Sequence, residues 1–142
     1  MDGLLLQWHA NGQKKTEETW KDGKQHGLAH LYYENGQMEQ ESNWKDGKGN
    51  GLITDWYEDG QKKAEGNWKD GKEEGPHTHW HENGQKKEVD NWKDGQMDGT
   101  LTLWHKNGKK MAQGTAKGGK SISRQFWNSK GEEVDSMEKA KQ

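Results

Sequence analysis

The sequence predicts an all-β fold: an elongated, single-layer antiparallel meander of stacked β-hairpins, solenoid-like and built from 24-residue repeats. Two observations carry that prediction. Thr19-Trp20-Lys21-Asp22-Gly23-Lys24 returns, nearly unchanged, as Asn43-Trp44-Lys45-Asp46-Gly47-Lys48, Asn67-Trp68-Lys69-Asp70-Gly71-Lys72 and Asn91-Trp92-Lys93-Asp94-Gly95-Gln96, each copy 24 residues after the last. Three glycine columns run in phase with these words, at 3, 27, 51, 75, 99, at 12, 36, 60, 84, 108 and at 23, 47, 71, 95, 119, and hold 15 of the 20 glycines. Glycine is therefore positional here, and it recurs too often for any helix to exceed about two turns.

Taken in order, five full copies run Gly3–His26, Gly27–Asn50, Gly51–Glu74, Gly75–Asp98 and Gly99–Ile122, so residues 1–122 form the repeat array. Residues 123–142 hold a degenerate sixth copy, read as a C-terminal cap, and a polar tail from Ser136 that is expected to form a frayed helical turn. Each copy places two turn signals. The second glycine column follows Asn11, Asn35, Asp59, Asn83 and Asn107, and the third follows Asp22, Asp46, Asp70 and Asp94. Asn-Gly and Asp-Gly are the strongest short hairpin signals, because both central residues of a type I′ turn need positive φ. In the third copy the strands are expected near Leu52–Tyr57 and Lys62–Trp68, with Gly71–Gly75 looping on to the next hairpin.

The aromatics then form two ladders, Trp8, Tyr32, Trp56, Trp80, Trp104 and Trp20, Trp44, Trp68, Trp92. A two-residue turn pairing Glu58 with Gln61 puts Trp56 and Trp68 on opposite faces. A three-residue loop with a glycine bulge shifts the pairing by one and brings them together. The second arrangement is favoured, since so polar a chain has apolar residues for one face only.

Composition supports a thin ordered array over a disordered tail. Hydrophobic residues make up 25% and mean hydropathy is −1.57, but the net charge is only −2 and nine tryptophans recur at fixed intervals. Stability of the isolated chain is expected to be modest. The near-neutral balance carries no nucleic-acid footprint, and the absence of cysteine excludes disulfides and thiolate metal sites. No stretch approaches the ~20 apolar residues of a membrane span, and Leu4-Leu5-Leu6 is too short for a signal-peptide core. The chain begins almost in register with its repeat, which is compatible with a piece of a longer protein; a cytoplasmic location is expected.

The sharpest local cluster is His77-Thr78-His79-Trp80-His81, where alternate residues of a strand share a face and a His-x-His pair could ligate zinc. His81, however, belongs to a periodic column with His9, Tyr33, Tyr57 and His105, whose members stand ~9.6 Å apart, too far to share an ion. His81 is accordingly read as a surface residue, and no metal or cofactor is assigned to His77, His79 and His81. Carboxylates recur with the repeat, no serine has a nucleophile's setting, and no phosphate loop occurs, so an enzyme is not expected. The ladder Trp8, Tyr32, Trp56, Trp80 and Trp104, with the adjoining Tyr33, Tyr57, His81 and His105, fits either packing or a protein-binding face, since aromatics carry interface hot spots.

At Tyr32-Tyr33-Glu34-Asn35-Gly36, Trp56-Tyr57-Glu58-Asp59-Gly60, Glu65-Gly66-Asn67-Trp68 and Lys69-Asp70-Gly71-Lys72 the chain resembles the MORN-variant repeat, a likeness that extends from Gly3 to about Gly119. It departs from the usual pattern mainly in using Trp where Tyr is frequent. The resemblance implies a β-hairpin array, and bacterial proteins of this kind are commonly described as antitoxins of toxin–antitoxin systems. The expected function is thus a non-catalytic scaffold that binds a protein partner, a toxin in the antitoxin form of that expectation. The alternative is a peripheral membrane or scaffolding element using exposed Trp, Tyr and Lys. The oligomeric state is left open.

Overall fold

The computed structural model describes residues 1–142, with fourteen strands and one short helix. The chain divides into two compact units, Met1–Lys72 and Glu73–Gln142. The first holds β1 (Gly3–Trp8), β2 (Lys14–Lys21), β3 (Lys24–Tyr32), β4 (Met38–Lys45), β5 (Lys48–Gly49), β6 (Gly51–Trp56) and β7 (Lys62–Lys69). β8 (Lys72–Trp80) opens the second, followed by β9 (Lys86–Lys93), β10 (Gln96–Met97), β11 (Gly99–Trp104), β12 (Lys110–Lys117), β13 (Lys120–Trp127), β14 (Glu133–Val134) and α1 (Met137–Ala140). Within each unit the strands pair antiparallel in chain order, with β5 and β10 as short continuations beside β4 and β9. The all-β hairpin meander read from the sequence is what the molecule has.

The two turn signals make two different turns. Asp22 and Gly23 have φ of 50° and 75°, and Lys21 pairs directly with Lys24, so the Asp-Gly words form two-residue type I′ hairpins. The expected loop over Gly71–Gly75 is therefore absent: chain leaves the Asp-Gly turn straight into strand β8, because a type I′ turn matches the strand twist without extra residues. In the fifth copy Gly118 takes φ 55° before Gly119, so replacing Asp by Gly keeps the turn.

The Asn-Gly words are not type I′. Asn11 lies outside the positive-φ residues while Gly12 has φ 85°; Gly12 N donates to His9 O at 3.0 Å and His9 N to Gln13 O at 2.8 Å. This is a type I turn closed by a glycine bulge, the three-residue loop favoured from the sequence.

The expected consequence of that loop does not follow. Trp56 pairs with Lys62, but Asp55 pairs with Ala64, so Lys63 is an extra residue in β7. The loop shifts the pairing by one and this bulge shifts it back. Ala64, Gly66 and Trp68 share a face with Asp55 and Ile53, and Trp56 points to the other side. The same offset occurs between Gln7 and Trp8, Leu31 and Tyr32, His79 and Trp80, and Leu103 and Trp104. The two ladders therefore occupy opposite faces, against the expectation of a single apolar face.

With indoles on both sides of one sheet, no thick core forms. The buried hydrophobic residues are Ala29, Ala112 and Ala140, and no large side chain is fully enclosed. Trp20, Trp44, Trp68 and Trp92 are half-buried. Each stands across the strands from a glycine: Trp20 pairs with Gly3, Trp44 with Gly27, Trp68 with Gly51 and Trp92 with Gly75. At the C-terminus Ser136 accepts from Lys139 N and starts α1, whose Ala140 is wholly buried.

Candidate interaction surface

The face carrying the Trp8 ladder differs between the two units. In the first, Leu4, Leu28 and Leu52 lie on it, a 24-residue column adjoining Trp8, Tyr32 and Trp56. These leucines are 58%, 48% and 42% exposed, and Trp8 is 58% exposed. Four of the six exposed large hydrophobics of the chain thus share this one face. In the second unit the column continues as Pro76 and Thr100, while Trp80, Trp104 and Trp127 keep the aromatic ladder. The leucine column was legible as a period in the sequence, but the sequence reading singled out only its aromatic neighbours.

Lysines rim the aromatic rings, and some of them are ion-paired. Lys14 Nζ stands 5.8 Å from the Tyr32 ring centre and 2.6 Å from Glu17 Oε2. The hydrogen bond between them raises the Lys14 pKa and lowers that of Glu17. Lys62 pairs with Glu65 in the same way at 2.6 Å, and His30 meets Glu41 at 3.1 Å. In the second unit Lys110 lies 5.9 Å from the Trp127 ring and donates to Gln113.

The His/Tyr column next to the ladder has a structural task. His9 Nε2 donates to Tyr32 O at 2.7 Å, Tyr33 Oη to Trp56 O at 2.6 Å, His81 Nε2 to Trp104 O at 3.0 Å and His105 Nε2 to Trp127 O at 3.0 Å. Because a carbonyl only accepts, each of these imidazoles carries its proton on Nε2. The Asn side chains of the same loops reach on as well, Asn11 to Glu34 O and Asn83 to Lys106 O. These residues strut one hairpin loop to the next. Tyr57 holds the matching position in the third copy and closes its own loop through Gln61 O. Burial raises the Tyr33 hydroxyl above its ordinary pKa, with Glu39 and Glu58 adding to it.

A second row of struts runs through the Asp-Gly turns, and the sequence reading missed it. Asp94 N donates to Glu74 Oε2 at 3.0 Å, and Asp22 N, Asp46 N, Asp70 N and Gly118 N find acceptors on Asp2, His26, Asn50 and Asp98. Every member of that column can accept a hydrogen bond, which is the signal by which it could have been found.

His77, His79 and His81 do not converge. His77 is buried opposite Asp90, and His79 pairs across the strands with Glu88. His81 is committed to Trp104 O. No three His, Asp or Glu residues come close enough together to hold a metal ion. Burial and the neighbouring Asp90 push the Glu88 carboxyl up, with His79 and Lys87 opposing. Asp90 Oδ1 and Trp92 Nε1 are both buried without a partner, whereas Trp44 Nε1 donates to Ser42 Oγ at 2.8 Å and Trp20 Nε1 to Glu18.

The hairpin geometry agrees with the comparison against known families. The model of the MORN repeat variant fits four times, over residues 1–22, 25–46, 50–70 and 73–94. The chain belongs to that family. The MORN repeat variant is a non-enzymatic repeat, generally a module for binding proteins or membranes. The fifth copy, beyond the matched residues, keeps the same loop and turn. No curated protein matches the chain.

Proposed function

We propose that this MORN-variant chain is a non-catalytic scaffold that holds a protein partner on its leucine- and aromatic-bearing face, with Trp8, Tyr32 and Trp56 as anchors in the first unit and Trp80 and Trp104 in the second. The observation that carries this reading is the exposed set Leu4, Trp8, Leu28 and Leu52 on one face. Aromatic anchors amid exposed apolar surface are what interface hot spots require. Tyr33, Tyr57, His81 and His105 border that face and contribute by holding the loops.

A membrane surface is the competing partner. The pairing of Lys14 with Glu17 and Lys62 with Glu65, and a net charge of −2, leave little positive field for anionic lipid, which favours a protein. In its finest form the partner is a toxin, met in the cytoplasm, and this chain is its antitoxin; that form rests on the resemblance of the repeat alone.

The test is photo-crosslinking in the source cell from positions 28 and 52, with position 40 on the opposite face as control. One protein species captured from 28 and 52, and lost in a Leu28→Ser/Leu52→Ser variant that still folds, is the expected result. Equal capture from position 40, or tight co-sedimentation with anionic vesicles and no crosslinked protein, would overturn the reading. Identification of the captured species as something other than a small toxin would remove the antitoxin form while leaving the scaffold.

A further inference from the structure

The face opposite the proposed interface holds a groove in the second unit, and its position follows from the repeat. Every earlier copy sets a tryptophan across the strands from a glycine: Trp20 pairs with Gly3, Trp44 with Gly27, Trp68 with Gly51 and Trp92 with Gly75. The fifth copy keeps the glycine, Gly99, but pairs it with Ala116. The residue two before, which elsewhere receives the indole N–H from Trp20 and Trp44, is Gly114. A side chain there has no room, since a Cβ would stand 2.6 Å from Ser123 O.

The seat left without its tryptophan is a groove of about 460 Å³ walled by Met97, Leu101, Leu103, Ala112, Phe126 and Met137, with Ala116 at its floor. That volume lies within the ~300–1,000 Å³ of small-ligand sites. Its lip carries Arg124, the only arginine in the chain. Arg124 makes no ion pair; its Nε donates to Ser121 Oγ at 3.0 Å, and it stands across the strands from Gly114. An apolar slot shaped by a missing indole, beside an uncompensated guanidinium, defines a ligand by both shape and charge.

We propose that this groove receives a tryptophan side chain of a partner polypeptide whose neighbouring residue is acidic, the indole replacing the tryptophan that Ala116 omits and the carboxylate meeting Arg124. The aromatic ring gains apolar contact on both walls, and the planar guanidinium suits a carboxylate better than an ammonium would. Within the second unit this site lies on the other face from Trp80 and Trp104, and it does not depend on the function proposed for them.

The experiment is a methyl NMR titration of the full chain with the blocked dipeptide Ac-Trp-Glu-NH2, with Ac-Trp-Lys-NH2, Ac-Ala-Glu-NH2 and indole-3-propionate as comparators. Saturable shifts confined to the methyls of Met97, Leu101, Leu103, Ala112 and Met137 are expected from the first. Replacing Glu by Lys in the ligand should weaken binding about two- to fivefold, the range of an exposed ion pair, and Arg124→Gln should erase that difference. Ala116→Trp fills the seat and should abolish the shifts while the Ala29 methyl keeps its folded position. Arg124→Gln, an exposed change, keeps the test decisive if Ala116→Trp misfolds. Absence of saturable shifts, equal binding of the alanine dipeptide, or undiminished binding by a folded Ala116→Trp would overturn the proposal. Tighter binding of indole-3-propionate than of the dipeptide would overturn the peptide as the occupant.

Discussion

At the scale of single residues, backbone sign decides more than side-chain chemistry. Gly51 has φ +120°, and a Cβ there would meet Asn43 Cβ at 3.2 Å. Asn43 O accepts from Asn50 N, and Asn43 Nδ2 donates to Leu52 O, so the side chain that crowds Gly51 also holds the bulge around it. Gly51→Ala should cost on the order of 2–3 kcal/mol. Gly23→Ala, at φ +75° with nothing within 4 Å, should cost only about 1 kcal/mol in urea unfolding. Asp90 offers the opposite sign. Asp90→Ser would restore the pairing that Ser42 gives Trp44, remove a buried unpartnered oxygen, and raise stability by about 1 kcal/mol in the same assay.

Glu88 supplies the pH dependence at this scale. Its carboxyl is raised above the ordinary 4.5 by burial and by Asp90, so the folded chain holds that proton more tightly than the unfolded one. The stability it contributes is fully present below the ordinary value and is lost as pH rises through the raised value. Glu88→Gln should therefore melt higher than the parent at neutral pH, and the gap should close as the pH falls toward 4.5. A gap that is constant across that range would count against the assignment.

At the scale of elements, the hairpin loops are joined to each other as well as to their own strands. The Tyr33 hydroxyl is one such joint, 2.6 Å from Trp56 O. Tyr33→Phe keeps the ring and should cost about 1 kcal/mol, with the loss of amide-exchange protection concentrated in β4 and β6. Turn chemistry was readable in advance where local residues dictate it: both Asp-Gly and Asn-Gly words do turn the chain. Their difference was not readable, since Asp22 and Asn11 tolerate the same conformations and only the strands on either side select one. The bulge at Lys63 left no mark in the sequence either. A lysine at the start of a strand looks the same whether or not it is paired, yet that one residue sends the two tryptophan ladders to opposite faces.

At the scale of the whole molecule, stability must come from many thin contacts, because no large side chain is fully enclosed. Within each unit the strands meet mainly their chain neighbours, so unfolding is expected to be local in the manner of repeat arrays. The chain should melt well below ~80 °C, in the ordinary range for mesophilic domains. Gly51→Ala should loosen β6 and β7 in hydrogen exchange while leaving β11 and β12 protected. Uniform loss of protection along the chain would instead indicate one cooperative unit.

Taken alone, the sequence determined the repeat, its period, the strand-and-turn alternation and the class of fold, because those follow from local φ preferences and from a pattern copied every 24 residues. It also contained the Leu4, Leu28 and Leu52 column, without indicating that these residues would be open to solvent. The tertiary structure alone decided which face each column occupies, that Tyr33, His81 and His105 reach to the next hairpin loop, and that the missing indole at Ala116 leaves a groove. Those are outcomes of register, and register depends on the strand opposite, which no local stretch of sequence contains.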